Sequence, residues 1–287
     1  MKKKFSFLIL SLVAIFFMAA CSDDDDDKKA PNYQPPTAVQ TTFKQMFPNA
    51  TNVIWSEKDD YGVAEFMNSN TQTVAWFNQE GVWYLTETSV ATTNIPAVIT
   101  NAIANSDYKN WKVVDASSLE RKDMVPAYVI EVTSGSDVED LYYTQDGYLF
   151  DTVDQDHTGN KAQPTPVDQT VMAMVKQQYP SAKIVEIETG DNIEVTLVNN
   201  GTYFEYILSN DYKWIQSEYA VSWADTPQAV KDGLLRDKYG FNELTDTVTK
   251  VIRPQASGTI TLYRIDMDNN TGDVVVYYNA DGTKVNE

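Results

Sequence analysis

The feature that most limits what this chain can fold into is that it is written twice. Phe43-Lys44-Gln45-Met46-Phe47-Pro48-Asn49-Ala50 returns as Val175-Lys176-Gln177-Gln178-Tyr179-Pro180-Ser181-Ala182. Further along, Trp83 matches Trp214, Glu87 matches Glu218, Pro96 matches Pro227 and Tyr108 matches Tyr239. Near each end, Tyr142-Tyr143 matches Tyr277-Tyr278 and Asp146-Gly147 matches Asp281-Gly282. The spacing between copies drifts by only a few residues, as short loop insertions would cause. A recurring segment of this length is one folded unit used again. The copies run over 36–154 and 165–287. Between them a polar stretch from Asp154 to Pro166 has no hydrophobic period and ends in two prolines, which is linker composition, and the linker is placed at 155–164.

Each copy is itself double. Trp76-Phe77-Asn78-Gln79-Glu80-Gly81-Val82-Trp83 and Tyr142-Tyr143-Thr144-Gln145-Asp146-Gly147-Tyr148-Leu149 share one pattern. An aromatic pair leads into a polar turn ending in Gly, and an apolar or aromatic pair follows. That pattern predicts a hairpin, with Gly supplying the left-handed turn position. Helical periodicity precedes the hairpins at Pro36–Phe47, where Val39, Phe43, Met46 and Phe47 share a face, and at Pro96–Ala104. Val167–Tyr179 and Pro227–Lys238 are the counterparts. The predicted class is α+β: tandem domains, each built of units in which one helix covers a four-stranded antiparallel meander. The other face of each sheet is left to solvent or to a partner.

The N-terminus sets the compartment. Met1-Lys2-Lys3-Lys4 is followed by an apolar run from Phe5 to Ala20, broken only by Ser6 and Ser11. Its sixteen residues fall short of the about 20 a spanning helix needs and suit a secretory signal, placed at 1–20. Met18-Ala19-Ala20-Cys21 resembles a lipobox, with Met18 where Leu is usual. Lipidation at Cys21 is therefore expected, and the chain would meet the membrane through that anchor alone. Cys21 is the only cysteine, which excludes intramolecular disulfides. Ser22 and the five aspartates Asp23–Asp27 open a self-repelling acidic tether over 21–35. An acidic run after a lipidated Cys resembles the surface-export signal of Bacteroidetes lipoproteins. The expected location is the outer membrane, facing the surface or else the periplasm.

Charge narrows the partners. The formal net charge is −19, and losing the three early lysines makes it more negative. That opposes binding to nucleic acid or to anionic lipid, and it suits a protein or peptide partner of basic character.

A family resemblance rests on Phe47-Pro48-Asn49-Ala50 with Val53 and Trp55, then Tyr61 with Ala64-Glu65-Phe66, Gly81 with Trp83 and Glu87, and Ile95-Pro96 with Val98. This set resembles the PepSY-like domains of exported Bacteroidetes proteins, likened in fold to β-lactamase-inhibitory protein. It covers nearly all of 36–154. Over 165–287 it is weaker: Asp211-Tyr212-Lys213-Trp214 lacks the turn glycine, and Thr226-Pro227 replaces the apolar-Pro step. The resemblance implies a binding or inhibitory module, with no catalytic residues to carry over.

Little in the chain offers chemistry. The one histidine, His157, lies in the linker and Cys21 is claimed by lipid, which leaves no Ser-His-Asp or Cys-His arrangement. Zinc ligand spacing and phosphate loops are absent, and no cofactor or metal is expected. Glu65, Glu87, Glu131 and Glu218 lie on predicted strands, where a carboxylate pair could hydrolyse a glycan or simply be a solvated face. Asp268-Asn269-Asn270-Thr271-Gly272-Asp273 offers oxygen ligands for calcium, but a hairpin turn explains it too. Asp151-Thr152-Val153 and Asp246-Thr247-Val248 resemble a short O-glycosylation motif, making Thr152 and Thr247 candidate acceptors. Trp76, Trp83, Tyr142, Tyr143 and Trp214 flank the hairpins, as core under the helices or as an exposed contact face. The function predicted is a non-enzymatic, inhibitor-like binding module. The alternatives are a carboxylate-dependent glycan hydrolase or an accessory subunit of an outer-membrane assembly.

Overall fold

The computed structural model describes residues 33–154, 163–243, 245–269 and 272–286. The signal segment, Cys21, most of the tether and residues 155–162 of the linker, with His157, lie outside the described residues. The chain divides between Pro166 and Val167 into two compact units.

Unit 1 runs α1 (Thr37–Met46), β1 (Thr51–Lys58), β2 (Tyr61–Asn68), β3 (Thr71–Asn78) and β4 (Trp83–Ser89), then α2 (Ala97–Ala104), β5 (Lys112–Arg121), β6 (Ala127–Ser134), β7 (Asp137–Thr144) and β8 (Leu149–Asp154). Unit 2 repeats this order with α3 (Gln169–Gln178), β9 (Lys183–Thr189), β10 (Ile193–Asn199), β11 (Thr202–Leu208) and β12 (Trp214–Val221). It continues with α4 (Gln228–Arg236), β13 (Thr247–Gln255), β14 (Gly258–Asn269), β15 (Gly272–Asn279) and β16 (Lys284–Val285). All four predicted helices are present, each within about two residues of its expected bounds.

The strands depart from expectation in one respect. The four-stranded meanders are not separate sheets. β4 pairs with β5, Glu87 opposite Leu119, and β12 pairs with β13, Glu218 opposite Val251. Each unit is thus one eight-stranded antiparallel sheet with its strands in sequence order. The physical reason is the cost of an open edge, whose unpaired N–H and C=O groups seek partners. Joining two meanders removes two edges.

Register then fixes which face each helix covers. Phe66, Thr73, Thr88, Ser118, Tyr128 and Tyr143 stand directly opposite one another across β2 to β7, so they share one face. Phe66 packs with Val39 and Phe43 of α1, and Tyr143 packs with Ile99 and Ile103 of α2. Both helices therefore lie on one face. The adjacent row, Glu65, Val74, Glu87, Leu119, Ala127 and Thr144, belongs to the helix-free face. Unit 2 follows the same rule. Tyr206, bonded to Gln178 of α3, stands opposite Ser217, and Val248, Ile265 and Val276 pack under Val230 and Leu234 of α4.

Helix entry and hairpin turn are one device. α1, α2 and α4 begin after Pro36, Pro96 and Pro227, whose missing N–H and fixed φ suit a helix start. The turn glycine of the matching hairpin packs on the helix's first turn. Gly81, at φ +83°, would place a Cβ 2.8 Å from the Ala38 backbone; Gly282, at φ +80°, would place one 2.0 Å from the Ala229 carbonyl oxygen. Only glycine fits either position. α3 departs on both counts. Its cap is Asp168, which accepts from the Thr170 and Val171 N–H groups at 2.6 and 3.3 Å. Its hairpin turn carries Tyr212 at φ +61°, and that hydroxyl donates to Asp168 Oδ2 at 3.3 Å.

Gly282→Ala is expected to cost unit 2 at least about 2 kcal/mol, from left-handed strain plus the collision with Ala229. Tyr212→Gly, at the matching turn of α3, should change stability by under about 1 kcal/mol, since the strained φ is relieved as the Asp168 contact is lost. Urea unfolding followed by tryptophan fluorescence measures both, and equal losses would refute the distinction.

Candidate binding face

The helix-free face of unit 1 has a buried floor although no helix covers it. Val63, Val74, Trp76, Leu85, Leu119, Ala127 and Val129 form one cluster there, and Tyr61, Tyr142 and Phe150 pack partly buried against it. The Tyr61 ring meets the Trp76 ring edge-on at 6.1 Å and the Tyr84 ring at 5.5 Å, and Tyr142 meets Phe150 at 6.1 Å. Lys58 Nζ sits 5.6 Å over the Trp76 ring, and the Arg121 guanidinium sits 5.2 Å over Phe150. Such cations bind ring faces electrostatically while their alkyl stems cover apolar surface. Glu65, Glu87 and Glu131 share this face. Burial, and then the nearby Asp115, hold the Glu131 carboxyl above its ordinary range.

In unit 2 the same face is polar. Arg264 bonds Glu218 at 2.8 Å and Asp266 at 3.0 Å. Gln216 accepts from Arg253 Nε at 2.6 Å and donates to Glu218. Thr196 donates to Glu205, which stands opposite Glu218. The Arg253 guanidinium lies 5.2 Å over the Tyr277 ring. One architecture thus presents an aromatic face in one unit and an ion-paired face in the other.

The profile of a family described as "Putative beta-lactamase-inhibitor-like, PepSY-like" matches residues 59–151, 156–209 and 191–284. The chain belongs to the PepSY-like family. Among solved structures it resembles a BLIP-like protein from Bacteroides fragilis NCTC 9343, with 31% identity and TM-score 0.44 over 49% of this chain and 99% of that one. A DUF2874 family protein from Bacteroides ovatus ATCC 8483 matches with 32% identity and TM-score 0.42 over 44% of this chain and 92% of that one. A protein from Bacteroides eggerthii DSM 20697, described among "putative periplasmic proteins", matches with 24% identity and TM-score 0.41 over 42% and 90%. A search of curated proteins gave no match. Among the described residues no helix is long and apolar enough to cross a membrane.

Within this PepSY-like chain the five aromatic candidates do not form one surface. Strand alternation sends Tyr142 and Tyr143 to opposite faces. Tyr143 is 1% exposed under α2, and Trp76 is 3% exposed in the helix-free floor, so neither can meet a partner. Trp83 and Trp214 are half-buried on the helix-covered faces. Each indole N–H is tied three residues ahead, Trp83 to Thr86 Oγ1 at 2.8 Å and Trp214 to Ser217 Oγ at 3.2 Å. Trp214 also lines a shallow cavity of about 340 Å³ with Met174, Gln177, Gln178 and Tyr206. Of the five, Tyr142 alone is both partly exposed and on a helix-free face. Sequence reasoning missed Tyr61, Phe150, Lys58 and Arg121. The β2–β3 hairpin that brings Tyr61 beside Trp76 turns at Ser69-Asn70 without a glycine, so it lacks the glycine signal that marked the other hairpins.

The remaining candidates separate as well. Thr152 is half-buried in β8 with its side chain engaged by Tyr108, whereas Thr247 is exposed at the start of β13. Glu218 is held in the Arg264 ion pair. Asn270 and Thr271 of the acidic turn lie outside the described residues. Among the described residues no group of three or more His, Cys, Asp or Glu is placed to hold a metal.

Trp83→Ala and Trp214→Ala are each expected to cost about 3 kcal/mol, because packing and a hydrogen bond go together. Thr86→Val should cost about 1 kcal/mol. A change of under about 0.5 kcal/mol for either tryptophan, within the usual surface range, would return it to the list of contact residues.

Alkali gives a second check. Burial, and then the neighbouring Tyr179, push the Tyr206 hydroxyl up to about 12. Burial and the Glu139 hydrogen bond push Tyr108 up to about 12. A folded-state value above the unfolded 10 means the folded chain holds its proton more tightly. That stability is complete below pH 10 and is lost as pH rises from 10 through about 12. Unfolding free energy should therefore fall over that window, and Tyr206→Phe should flatten the fall for unit 2.

Proposed function

We propose that this PepSY-like chain is a lipid-anchored, non-enzymatic binding module of the cell envelope, holding a protein or peptide partner on the helix-free face of unit 1. The observation that carries the reading is the placement of both helices on one face. The opposite face keeps Tyr61, Tyr142 and Phe150 half-exposed over a rigid apolar floor, bordered by Lys58 and Arg121. Half-exposed aromatic rings on a fixed floor lose little conformational entropy on contact, and Tyr and Arg are favoured at the centres of interfaces. The inhibitor-like description of the family supports the same direction. Anchoring rests on the signal segment and on Cys21, followed by the aspartate run, and outer-membrane placement, facing the surface or the periplasm, rests on the same residues.

Glycan hydrolysis is the competing reading, since Glu65 and Glu87 share the face. They stand two strands apart, with Val74 directly between them. Two strand spacings put their backbones about 9.5 Å from each other. An accessory role in an outer-membrane assembly would use the same face and is a special case of binding.

The test is crosslinking on intact cells that carry the full chain, with mass spectrometry of what is captured. Tyr142→Ala and Tyr61→Ala should each reduce one dominant captured protein by about tenfold or more, as a loss of roughly 1.4 kcal/mol implies. Unit 1 should stay folded in both variants. Capture unchanged in both variants, or release of glycan fragments that stops with Glu87→Gln, would overturn the reading.

A further inference from the structure

Unit 2 carries a cavity on its helix-covered face that the proposed function does not use. It holds about 340 Å³ between α3 and the start of β12, and Met174, Gln177, Gln178, Tyr206 and Trp214 line it. That volume is at the small end of ligand cavities, which run from about 300 to 1,000 Å³.

The two copies differ at this place. In unit 1 the ring of Phe43 fills the ground beneath α1, 5.0 Å from Phe66 and 5.1 Å from Trp55. The matching helix position in unit 2 is Val175, a smaller side chain. Three residues on, Met46 of unit 1 is matched by Gln178. Relative to α1, α3 has lost bulk and gained an amide.

The lining has a definite chemistry. Trp214 spends its indole N–H on Ser217 Oγ at 3.2 Å, so it offers the cavity only its ring. The Tyr206 hydroxyl donates to Gln178 Oε1 at 3.1 Å, which leaves the Gln178 NH₂ group as a donor. Gln177 is exposed, and its side chain bonds nothing among the described residues. A free amide both donates and accepts. None of the lining side chains is charged.

We infer that this cavity binds a single uncharged pyranose ring of a saccharide. Such a ring has C–H bonds on a flat apolar face and hydroxyls around its rim. The C–H face suits the electron-rich face of the Trp214 indole, with the polarizable Met174 thioether beside it. The rim hydroxyls suit the two glutamine amides, since each hydroxyl also donates and accepts. A purely aromatic ligand would leave the amides unmet. A cation finds no carboxylate in the lining, and an acidic sugar is repelled by a chain of formal net charge −19. The cavity belongs to unit 2 and uses no residue of the unit 1 face, so this inference and the proposed function can fail separately.

The experiment is saturation-transfer NMR on the full chain, titrated with the methyl glycosides of glucose, galactose, mannose and N-acetylglucosamine, and with p-cresol as an aromatic probe. At least one glycoside should bind, with the C–H protons of one ring face saturated most strongly. Gln177→Leu keeps the side chain's bulk at an exposed position and removes its amide. It should weaken that glycoside by about tenfold, as the loss of one or two hydrogen bonds implies, and leave the urea midpoint unchanged. Failure of all four glycosides to bind, affinity unchanged in Gln177→Leu, or p-cresol binding more tightly than every glycoside would overturn the inference.

Discussion

A four-stranded antiparallel meander under one helix is an unfinished object. It has two open edges and one bare face, and it buries too little apolar surface to stand well alone. Pairing β4 with β5, and β12 with β13, resolves one edge of each meander. The bare face is not resolved by that step. Continuity of the pleat carries the face assignment from β2 to β7 without a switch, so α1 and α2 must lie on the same side. The helix-free face follows from this pairing, and it must be finished by side chains alone. Unit 1 finishes it with large rings and cation stems, and unit 2 with ion pairs.

The sequence revealed most of the architecture because its strongest signals are local. Helix entry at proline, hairpin glycine and 3.6-residue periodicity are each readable within a dozen residues. The sheet's full width was not, because β4 and β5 are joined through a long connection holding α2, and nothing local in either strand announces the other as a partner. The candidate face was legible in part. Trp76 and Tyr142 do belong to the helix-free side, but aromatic identity alone does not tell floor from rim. Trp76 is covered because Tyr61 and Lys58 lie over it, and both belong to neighbouring strand positions that only register brings together. Trp83 and Trp214 lie half-buried on the helix-covered faces. They repeat between the copies because each ties its indole to Thr86 or Ser217 beside a helix, a structural bond as repeatable as any contact site.

The divergence of the second copy is coupled rather than random. Where the glycine of the hairpin turn gives way to Tyr212, the proline of the helix entry gives way to Asp168, and the two side chains bond each other. Without a glycine the hairpin cannot press its backbone onto the helix's first turn. A side-chain cap and a tyrosine bridge do that work from a greater distance. Of the two departures from the family pattern noted along the sequence, the missing turn glycine at Tyr212 is thus half of a paired substitution with Asp168, whereas Thr226-Pro227 stands at the start of α4 and is separate from it.

The faces have diverged further than the scaffold. In unit 1, Leu85 opposes Arg121 and Leu119 lies in the floor; in unit 2 the matching region holds Gln216, Glu218 and Arg253. Two carboxylates already engage the Nε and Nη1 groups of Arg264, and Gln216 bridges the two arginine systems. A partner approaching that network would have to desolvate charges that are content with each other, at little gain. A partner approaching Tyr61, Tyr142 and Phe150 displaces water from rings whose polar needs are few. If one helix-free face of this chain recognises something, physical cost favours the face of unit 1.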